Sequence, residues 1–310
     1  MNMRVGFVLD DTLDSTDGVQ QYVLTIGGWL QKQGATVHYL VGKTKRNDLE
    51  NIHSFGQKLP VRFNKNRLNI PLPSSPKKIR TLLKEKNFDV LHVQMPHSPM
   101  FAARVVDLAP ANTAIVGTFH IAPYSRFEQN ATRLLGYLLK PNLKRFDQII
   151  SVSPAARDLA KKTFKVNTRV IPNAVDIDSF RSKTISQPIN DRRDIVFLGR
   201  LVARKGVHHL LQSYKLFIKK YPDFNTTKLH VCGDGSYRKK LETFMARNTL
   251  GSKVLFHGRV TENDKKKYLG SSRLAVFPST SGESFGIVLI EAMASGAGVT
   301  LGGNNPGYVS

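Results

Sequence analysis

The 310 residues are enough for two domains with separate cores, and 41% hydrophobic with 22% charged residues is a globular composition rather than a fibrous or disordered one. A single cysteine, Cys232, excludes an internal disulfide and a cysteine metal cluster, and no apolar run is long enough to span a bilayer. The net charge of +23 calls for an anionic partner (nucleic acid, an acidic membrane surface or a phosphorylated substrate) or for a solubilising bias spread over helix faces.

Met1 leads directly into a strand pattern over Arg4–Leu9, so no signal peptide is read and a cytoplasmic chain is expected. A loop over 10–18 follows. A helix then carries Val19, Tyr22, Val23, Ile26, Trp29 and Leu30 on one face and stops at Gly34, before a strand over 35–41. Strand, glycine-bearing turn, helix, strand opens a doubly wound domain, whose ligands bind at the carboxyl ends of the strands. Gly18 either lets backbone approach a ligand there or simply starts the helix.

Residues 58–86 carry Lys58, Arg62, Lys65, Arg67, Lys77, Lys78, Arg80, Lys84 and Lys86 against one acid, Glu85. A helix over 77–86 sets Ile79, Leu82 and Leu83 beside these cations. It suits an interfacial helix on anionic lipid, or a basic surface helix whose apolar stripe packs on the sheet. Strands over 89–93 and 113–117 come next. The second runs into Thr118-Phe119-His120 and puts an imidazole at a strand's carboxyl end, a placement that His92 and His97 lack. A second basic amphipathic helix is expected over 127–146. A strand over 148–152, a helix over 154–163 capped by Ser153 and a strand over 168–171 complete the first domain, 1–178.

A linker over 179–194 leads to a second doubly wound domain, 195–310, with strands over 195–199, 228–232, 254–257, 274–277 and 299–301. The first of these ends in Gly199-Arg-Leu-Val-Ala-Arg-Lys-Gly206, a cation-rich loop opening a helix and suited to phosphate. Gly233-Asp-Gly235 is too short for a dinucleotide fingerprint. The chain has neither a P-loop nor a complete G-x-G-x-x-G, which speaks against a kinase or dehydrogenase.

After the strand over 274–277 comes Ser279-Thr-Ser-Gly-Glu-Ser-Phe-Gly-Ile-Val-Leu-Ile-Glu291, a cap-rich loop leading into a helix over 285–295 with Gly296 as its stop. The start of that helix favours a phosphate-bearing ligand. Glu283 and Glu291 would be separated by about 12 Å of helical rise. A glycosidase carboxylate pair sits about 5 to 9.5 Å apart, so these two suit gripping separate parts of one long ligand better than acid/base work.

In this order, Asp17-Gly-Val-Gln20, Phe88-Asp-Val-Leu-His92, Thr118-Phe-His120, Ile171-Pro-Asn-Ala-Val-Asp176, Gly199-Arg-Leu…Arg-Lys-Gly206, Gly233-Asp-Gly235 and Gly282-Glu-Ser-Phe-Gly-Ile-Val-Leu-Ile-Glu291 resemble the retaining family 4 glycosyltransferases over nearly the whole chain. The Gly-Val-Gln and Gly-Glu-Ser-Phe stretches look most like the phosphatidylinositol mannosyltransferase branch. The resemblance implies an α/β architecture of two Rossmann-like, doubly wound domains facing across a cleft (the GT-B fold). It also implies transfer of a hexose, mannose favoured, from a nucleotide-diphosphate sugar to an acceptor hydroxyl with configuration retained.

At the matching positions it implies that Arg200 and Lys205 neutralise the donor diphosphate, helped by Gly18 and by the helix start at Ser284, Phe285, Gly286 and Ile287. Glu283 would bind the sugar hydroxyls and Glu291 the ribose. Gly258, Arg259 and Val260 would lie near the base, and His120 beside the reacting sugar. No cofactor beyond the nucleotide sugar and no essential metal are expected. Asp176-Ile-Asp178 imitates a metal motif but follows a Pro-Asn turn and reads as structural.

Three departures stand out: Ala174 replaces a usual glycine, Gly298 a usual proline, and the loop over 10–14 is acidic where lipid mannosyltransferases carry aromatic and proline residues. The acceptor is therefore a membrane phospholipid or, alternatively, a soluble glycan or small molecule. An anionic membrane surface, on the inner face, is an expected partner. Nucleic acid is not an expected partner, because the basic stretch has few aromatics and no binding module, so a basic nucleic-acid-binding protein stands only as a distant alternative function suggested by the charge. Relatives continue beyond the loop over 304–310, so a fragment of a longer enzyme is the expectation.

Overall fold

A computed structural model describes residues 3–309 except 16, 43, 56–57, 64–65, 72–74, 97, 122–139 and 182–187, with backbone alone over 58–63, 66–71 and 140–141. It divides into two compact units, Met1–Asn173 and Ala174–Ser310.

In the first unit the strands are β1 (Arg4–Leu9), β2 (Thr36–Val41), β3 (Ile52–Ser54), β4 (Lys58–Phe63), β5 (Asn66–Pro71), β6 (Val90–Gln94), β7 (Ala114–Phe119), β8 (Gln148–Ser151) and β9 (Arg169–Val170). Seven form one sheet in the order β3-β2-β1-β6-β7-β8-β9, with every pairing parallel, while β4 and β5 make a separate antiparallel hairpin.

A parallel sheet must be covered on both faces, and the period of two along β1 shows how this is done. Val5, Phe7 and Leu9 pack with Tyr22 and Val23 of the helix Gly18–Lys32. Val8 faces the other way and joins Ile79 and Leu83 of the helix Pro76–Lys86 with Phe101, Val105 and Val106 of the helix Phe101–Leu108.

That packing corrects the expectation of an interfacial helix over 77–86. Ile79 and Leu83 are buried in the core and Leu82 is half-buried against it, while the cations Lys77, Lys78, Arg80 and Lys84 are exposed together with Thr81 and Glu85. The helix expected over 127–146 lies largely outside the described residues, apart from the turn Lys140–Leu143. The side chains of Lys58, Arg62 and Arg67, and all of Lys65, are likewise outside them. The helix over 154–163 is α-helical only through Leu159 and then widens into a π turn, Ala160–Phe164, ended by Lys165 in the left-handed region.

The second unit contains β10 (Ile195–Leu198), β11 (Leu229–Cys232), β12 (Val254–Gly258), β13 (Leu274–Phe277) and β14 (Val299–Gly302), all parallel, in the order β12-β11-β10-β13-β14. Helices Val207–Lys220, Arg238–Arg247, Glu262–Ser271 and Ile287–Ala294 connect successive strands. Part of the expected linker belongs to this unit. Helix Ile177–Phe180 lies within it, and Arg192 donates to the carbonyls of Gly270 and Gly296 at 2.5 and 2.7 Å.

In each sheet the chain reverses its direction of winding once, between β1 and β6 in the first unit and between β10 and β13 in the second. The loops leaving those strands open a crevice at the carboxyl ends, where doubly wound sheets bind ligands. No helix among the described residues is long and apolar enough to cross a membrane.

Candidate active site

The crevice of the second unit is formed by the loops after β10 and β13, which one glycine brings into contact. Gly206 has φ +70°, and a Cβ there would lie 2.0 Å from the Pro278 carbonyl oxygen. Only glycine satisfies both the left-handed backbone and the close approach. Across the same seam Thr280 N–H donates to the Arg204 carbonyl at 2.9 Å. The turn Ala203–Lys205 consequently delivers two cations to Glu283.

Their contacts converge on a single atom. Glu283 Oε1 accepts from Arg204 Nη1 at 2.7 Å, from Ser279 Oγ at 2.7 Å and from Lys205 Nζ at 2.8 Å. No partner is recorded for Oε2 among the described residues. The side chains are 10% exposed for Glu283 and 15% for each cation. Burial pushes the Glu283 carboxyl up, but Lys205, Arg204 and the Ser279 hydroxyl outweigh it and hold the group below its ordinary range. Burial, with the nearby Arg204 and Arg200 charges, holds Lys205 below the usual lysine range against the pull of Glu283.

Glu291 has different company. It projects from the helix Ile287–Ala294 to Lys265, whose ammonium lies 2.8 Å from Glu291 Oε1 and 2.7 Å from Glu262 Oε2. Glu291 and Lys265 are both buried. Burial pushes the Glu291 carboxyl up, Lys265 offsets this in part, and Glu262 adds to it. The two glutamates thus belong to separate cationic clusters.

The helix expected from residue 285 begins at Ile287, because Gly286 takes φ +79° and acts as its N-cap; Phe285 stays in the loop. The Ser284 hydroxyl just before it is buried with no partner among the described residues, and an orphaned hydroxyl is a cost that a bound polar group would relieve. Arg200 is exposed on the loop after β10. Gly258 closes β12 with φ +68°, and its carbonyl accepts Gly233 N–H at 2.6 Å. Arg259 is exposed, whereas Val260 packs with Val196, Leu269 and Phe277. Of the residues read from sequence, Lys205 and Glu283 meet directly, and Ser284 to Gly286 continue the same loop into the helix at Ile287. Arg200, Gly258, Arg259 and Val260 lie on neighbouring carboxyl-end loops.

Sequence reasoning assigned no role to Ser279 or Lys265, and named Arg204 only within the cation-rich loop. Arg204 could have been found from its place beside Lys205 in one tight turn. Lys265 carried no such sign, since its partner lies 26 positions away.

In the first unit His120 sits at the end of β7, buried, with Nε2 2.7 Å from Gln94 Oε1 and its ring edge-on to Tyr22 at 4.9 Å. An amide oxygen only accepts, so Nε2 carries the proton. Gly18 begins its helix after Asp17. The carboxylates of the acidic loop bond mostly to other segments of the same unit. Asp10 accepts from Ala102 N–H at 2.6 Å and from the Ser98 hydroxyl, Asp11 from Thr12 N–H at 2.7 Å, and Asp14 from Lys45 N–H at 2.9 Å. Asp176 accepts Ser179 N–H at 3.2 Å and so caps a helix. Among the described residues no group of three His, Cys, Asp or Glu could hold a metal. A groove of about 590 Å³ along the outer face of the helix Ile287–Ala294, lined by Ile177, Arg181, Arg192, Ile290 and Met293, includes none of these site residues.

Residues 16–179 match the family model described as Glycosyltransferase Family 4, and residues 178–308 match the model described as Glycosyl transferases group 1. This chain belongs to the family 4 glycosyltransferases. It is therefore a hexosyl-transferring enzyme. A phosphatidyl-myo-inositol mannosyltransferase of Propionibacterium freudenreichii subsp. shermanii is 32% identical over 314 residues, covering 96% of this chain and 76% of that protein. The protein of the same name from Mycobacterium tuberculosis is 29% identical, covering 96% and 77%. Among solved structures, sucrose-phosphate synthase from Thermosynechococcus elongatus superposes with a TM-score of 0.72 at 20% identity, covering 99% of this chain and 82% of that one. HepE of Anabaena in complex with UDP-glucose gives 0.71 at 19% identity with the same coverage. These likenesses establish the two-domain GT-B fold for this glycosyltransferase.

Proposed function

We propose that this family 4 glycosyltransferase moves a mannosyl group from a nucleotide-diphosphate sugar to a hydroxyl of an inositol phospholipid, with retention at the anomeric carbon. The observation that carries the donor site is the cluster of Arg204, Lys205 and Glu283 at the switch point of the second unit, next to the orphaned Ser284 hydroxyl and a helix start.

As the bond to the sugar breaks, charge gathers on the departing diphosphate. Lys205, Arg200 and the first N–H groups of the helix Ile287–Ala294 are donors held in place before that charge develops, which is the arrangement that lowers such a barrier. The same cations take the part that a metal plays elsewhere, so no metal is required. Glu283 offers Oε2 to the sugar hydroxyls. Glu291 takes the ribose and Gly258 to Val260 border the base; of the first unit's residues, Gly18 is read as helping to neutralise the diphosphate and His120 as lying beside the reacting sugar.

Retention by attack on the face the leaving group departs from, with a diphosphate oxygen taking the acceptor's proton, is supported by the state of Glu283. Three hydrogen-bond donors on Oε1, two of them the cations Arg204 and Lys205, make it a poor nucleophile.

The names of the relatives support mannose and an inositol lipid. The alternative, a soluble glycan or small-molecule acceptor, drew on the acidic loop, yet Asp10, Asp11 and Asp14 are bonded within their own unit. Association with the inner membrane surface would rest on the exposed Lys77, Lys78, Arg80 and Lys84 as charges, each contributing about 1 kcal/mol near an acidic surface. The test is transfer from a panel of GDP- and UDP-sugars to phosphatidylinositol in vesicles and to free glycans, with the product anomer read by NMR. Transfer to free glycans alone would favour the alternative.

A further inference from the structure

The strands β11 and β12 carry one histidine each, His230 and His257, and both rings meet Tyr268 of the helix Glu262–Ser271. Together with Asp194 they form a hydrogen-bonded chain of four side chains. Asp194 Oδ2 lies 3.1 Å from His230 Nε2, His230 Nδ1 lies 2.9 Å from His257 Nε2, and His257 Nδ1 lies 3.0 Å from the Tyr268 hydroxyl. The far end is tied to the sheet as well, since Asp194 Oδ1 accepts Lys228 N–H at 2.9 Å.

The roles along the chain follow from its carboxylate. The hydrogen bond from His230 holds the Asp194 carboxyl below its ordinary range, so this oxygen accepts and His230 Nε2 carries a hydrogen. With His230 neutral, its Nδ1 accepts from His257 Nε2–H, and His257 Nδ1 in turn accepts from the Tyr268 hydroxyl. A proton added at His230 Nδ1 reverses these last two links and breaks neither.

The chain holds an irregularity of the sheet. Val231 pairs with Phe256 but Cys232 pairs with Gly258, so His257 is an extra residue in β12. Bulges are rare between parallel strands, and they bend the strand that carries them. Here the bend falls one residue before Gly258, which takes φ +68° and whose carbonyl accepts Gly233 N–H at 2.6 Å. A ring bonded at both nitrogens anchors the extra residue, and with it the course of the backbone into Gly258, Arg259 and Val260.

We infer that His257, held between His230 and Tyr268, is a positioning residue that fixes this bulge and thereby sets the loop Gly258 to Val260 against the nucleotide base of the donor. The inference rests on the proposed place of that loop at the base. None of Asp194, His230, His257 and Tyr268 touches the donor in this scheme. The diphosphate is the business of a different loop, the one that carries Arg200 and Lys205.

Tyr268→Phe keeps its ring and removes the hydroxyl that holds His257 Nδ1, while His257→Phe removes both ring nitrogens. Calorimetric titration with GDP, UDP and inorganic pyrophosphate separates the base from the diphosphate. For the nucleotide that the unaltered enzyme binds more tightly, affinity should fall about threefold to tenfold in Tyr268→Phe, the worth of one hydrogen bond, and further in His257→Phe. Affinity for pyrophosphate and kcat at saturating donor should stay within about twofold, because the diphosphate site is not disturbed. If His257→Phe does not fold, Tyr268→Phe alone decides.

Unchanged nucleotide affinity in the folded variants overturns the positioning role and leaves the donor reading intact. An equal loss for pyrophosphate does the same, since it marks a general loosening of the unit. An unaltered enzyme that binds neither GDP nor UDP more tightly than pyrophosphate overturns the place of the loop at the base, and the inference with it.

Discussion

Glu283→Ala puts the cluster to its sharpest test, because one substitution has separable consequences for stability and for chemistry. The carboxylate compensates Arg204 and Lys205 at 2.7 and 2.8 Å, each with a side chain only 15% exposed. Without it two like charges face each other with little water to solvate them. Removing one partner of a buried pair costs about 3 to 5 kcal/mol, against about 0 to 1 for a surface pair. The low exposure puts this site near the first figure. In urea, ΔG of unfolding should fall by about 3 kcal/mol or more with an unchanged m-value.

Adding Lys205→Met to Glu283→Ala removes one uncompensated charge and should recover a good part of the loss. Transfer should not recover, because two groups aimed at the donor are then missing. Loss of a single such contact already costs about 2.7 to 4 kcal/mol in the transition state, roughly a hundredfold to a thousandfold in kcat. A loss below about 1 kcal/mol for Glu283→Ala would show that the charges are solvated. Parallel recovery of stability and activity in the double variant would show that the cluster is structural only.

Gly206→Ala combines a left-handed backbone with a 2.0 Å collision at the Pro278 carbonyl. It should destabilise by about 2 to 5 kcal/mol in denaturant titrations. Burial lowers His92 from 6.5 to about 4, so the unfolded chain takes up its proton first. That contribution is complete above pH 6.5, declines by at most about 3 kcal/mol as pH falls toward 4, and levels off below; His92→Gln should flatten the decline in pH-dependent unfolding. Lys265→Gln strands the buried Glu291 carboxyl and should raise donor KM with kcat less affected, a split measurable at saturating acceptor. Flotation with acidic vesicles should exceed that with neutral ones, and charge reversal at Lys77, Lys78, Arg80 and Lys84 should abolish the difference; equal recovery from the start would remove the membrane contact.

Much of this fold could be read in advance because buried parallel strands leave short apolar runs between turn residues. Ile195, Leu229, Val254, Leu274 and Val299 each begin a strand at or within one residue of its expected start. The cation-rich loop and the two glutamates were visible for a similar reason, since glycines fix the backbone around them and bring their neighbours along. What the sequence hides is which charge meets which. Arg204 rather than Arg200 reaches Glu283, because the turn Ala203–Lys205 directs its side chains across the seam that Gly206 closes. Lys265 finds Glu291 only once the helices Glu262–Ser271 and Ile287–Ala294 are packed together. The apolar stripe over 79–83 could be read for lipid or for the sheet, and it went to the sheet, where it packs with Val8, Leu91 and Phe101.

The central claim is that the second unit binds a nucleotide-diphosphate sugar with Lys205 and Glu283 and that the enzyme passes its hexose to a lipid hydroxyl. Radiolabelled GDP-mannose and a UDP-sugar panel, each incubated with phosphatidylinositol vesicles and either the unaltered enzyme or Lys205→Ala, test it most directly. The account predicts label in the lipid fraction from GDP-mannose, with the α-linkage of the donor preserved and the rate in Lys205→Ala reduced by well over tenfold. Absence of label from every nucleotide sugar, or an undiminished rate in Lys205→Ala, would contradict it.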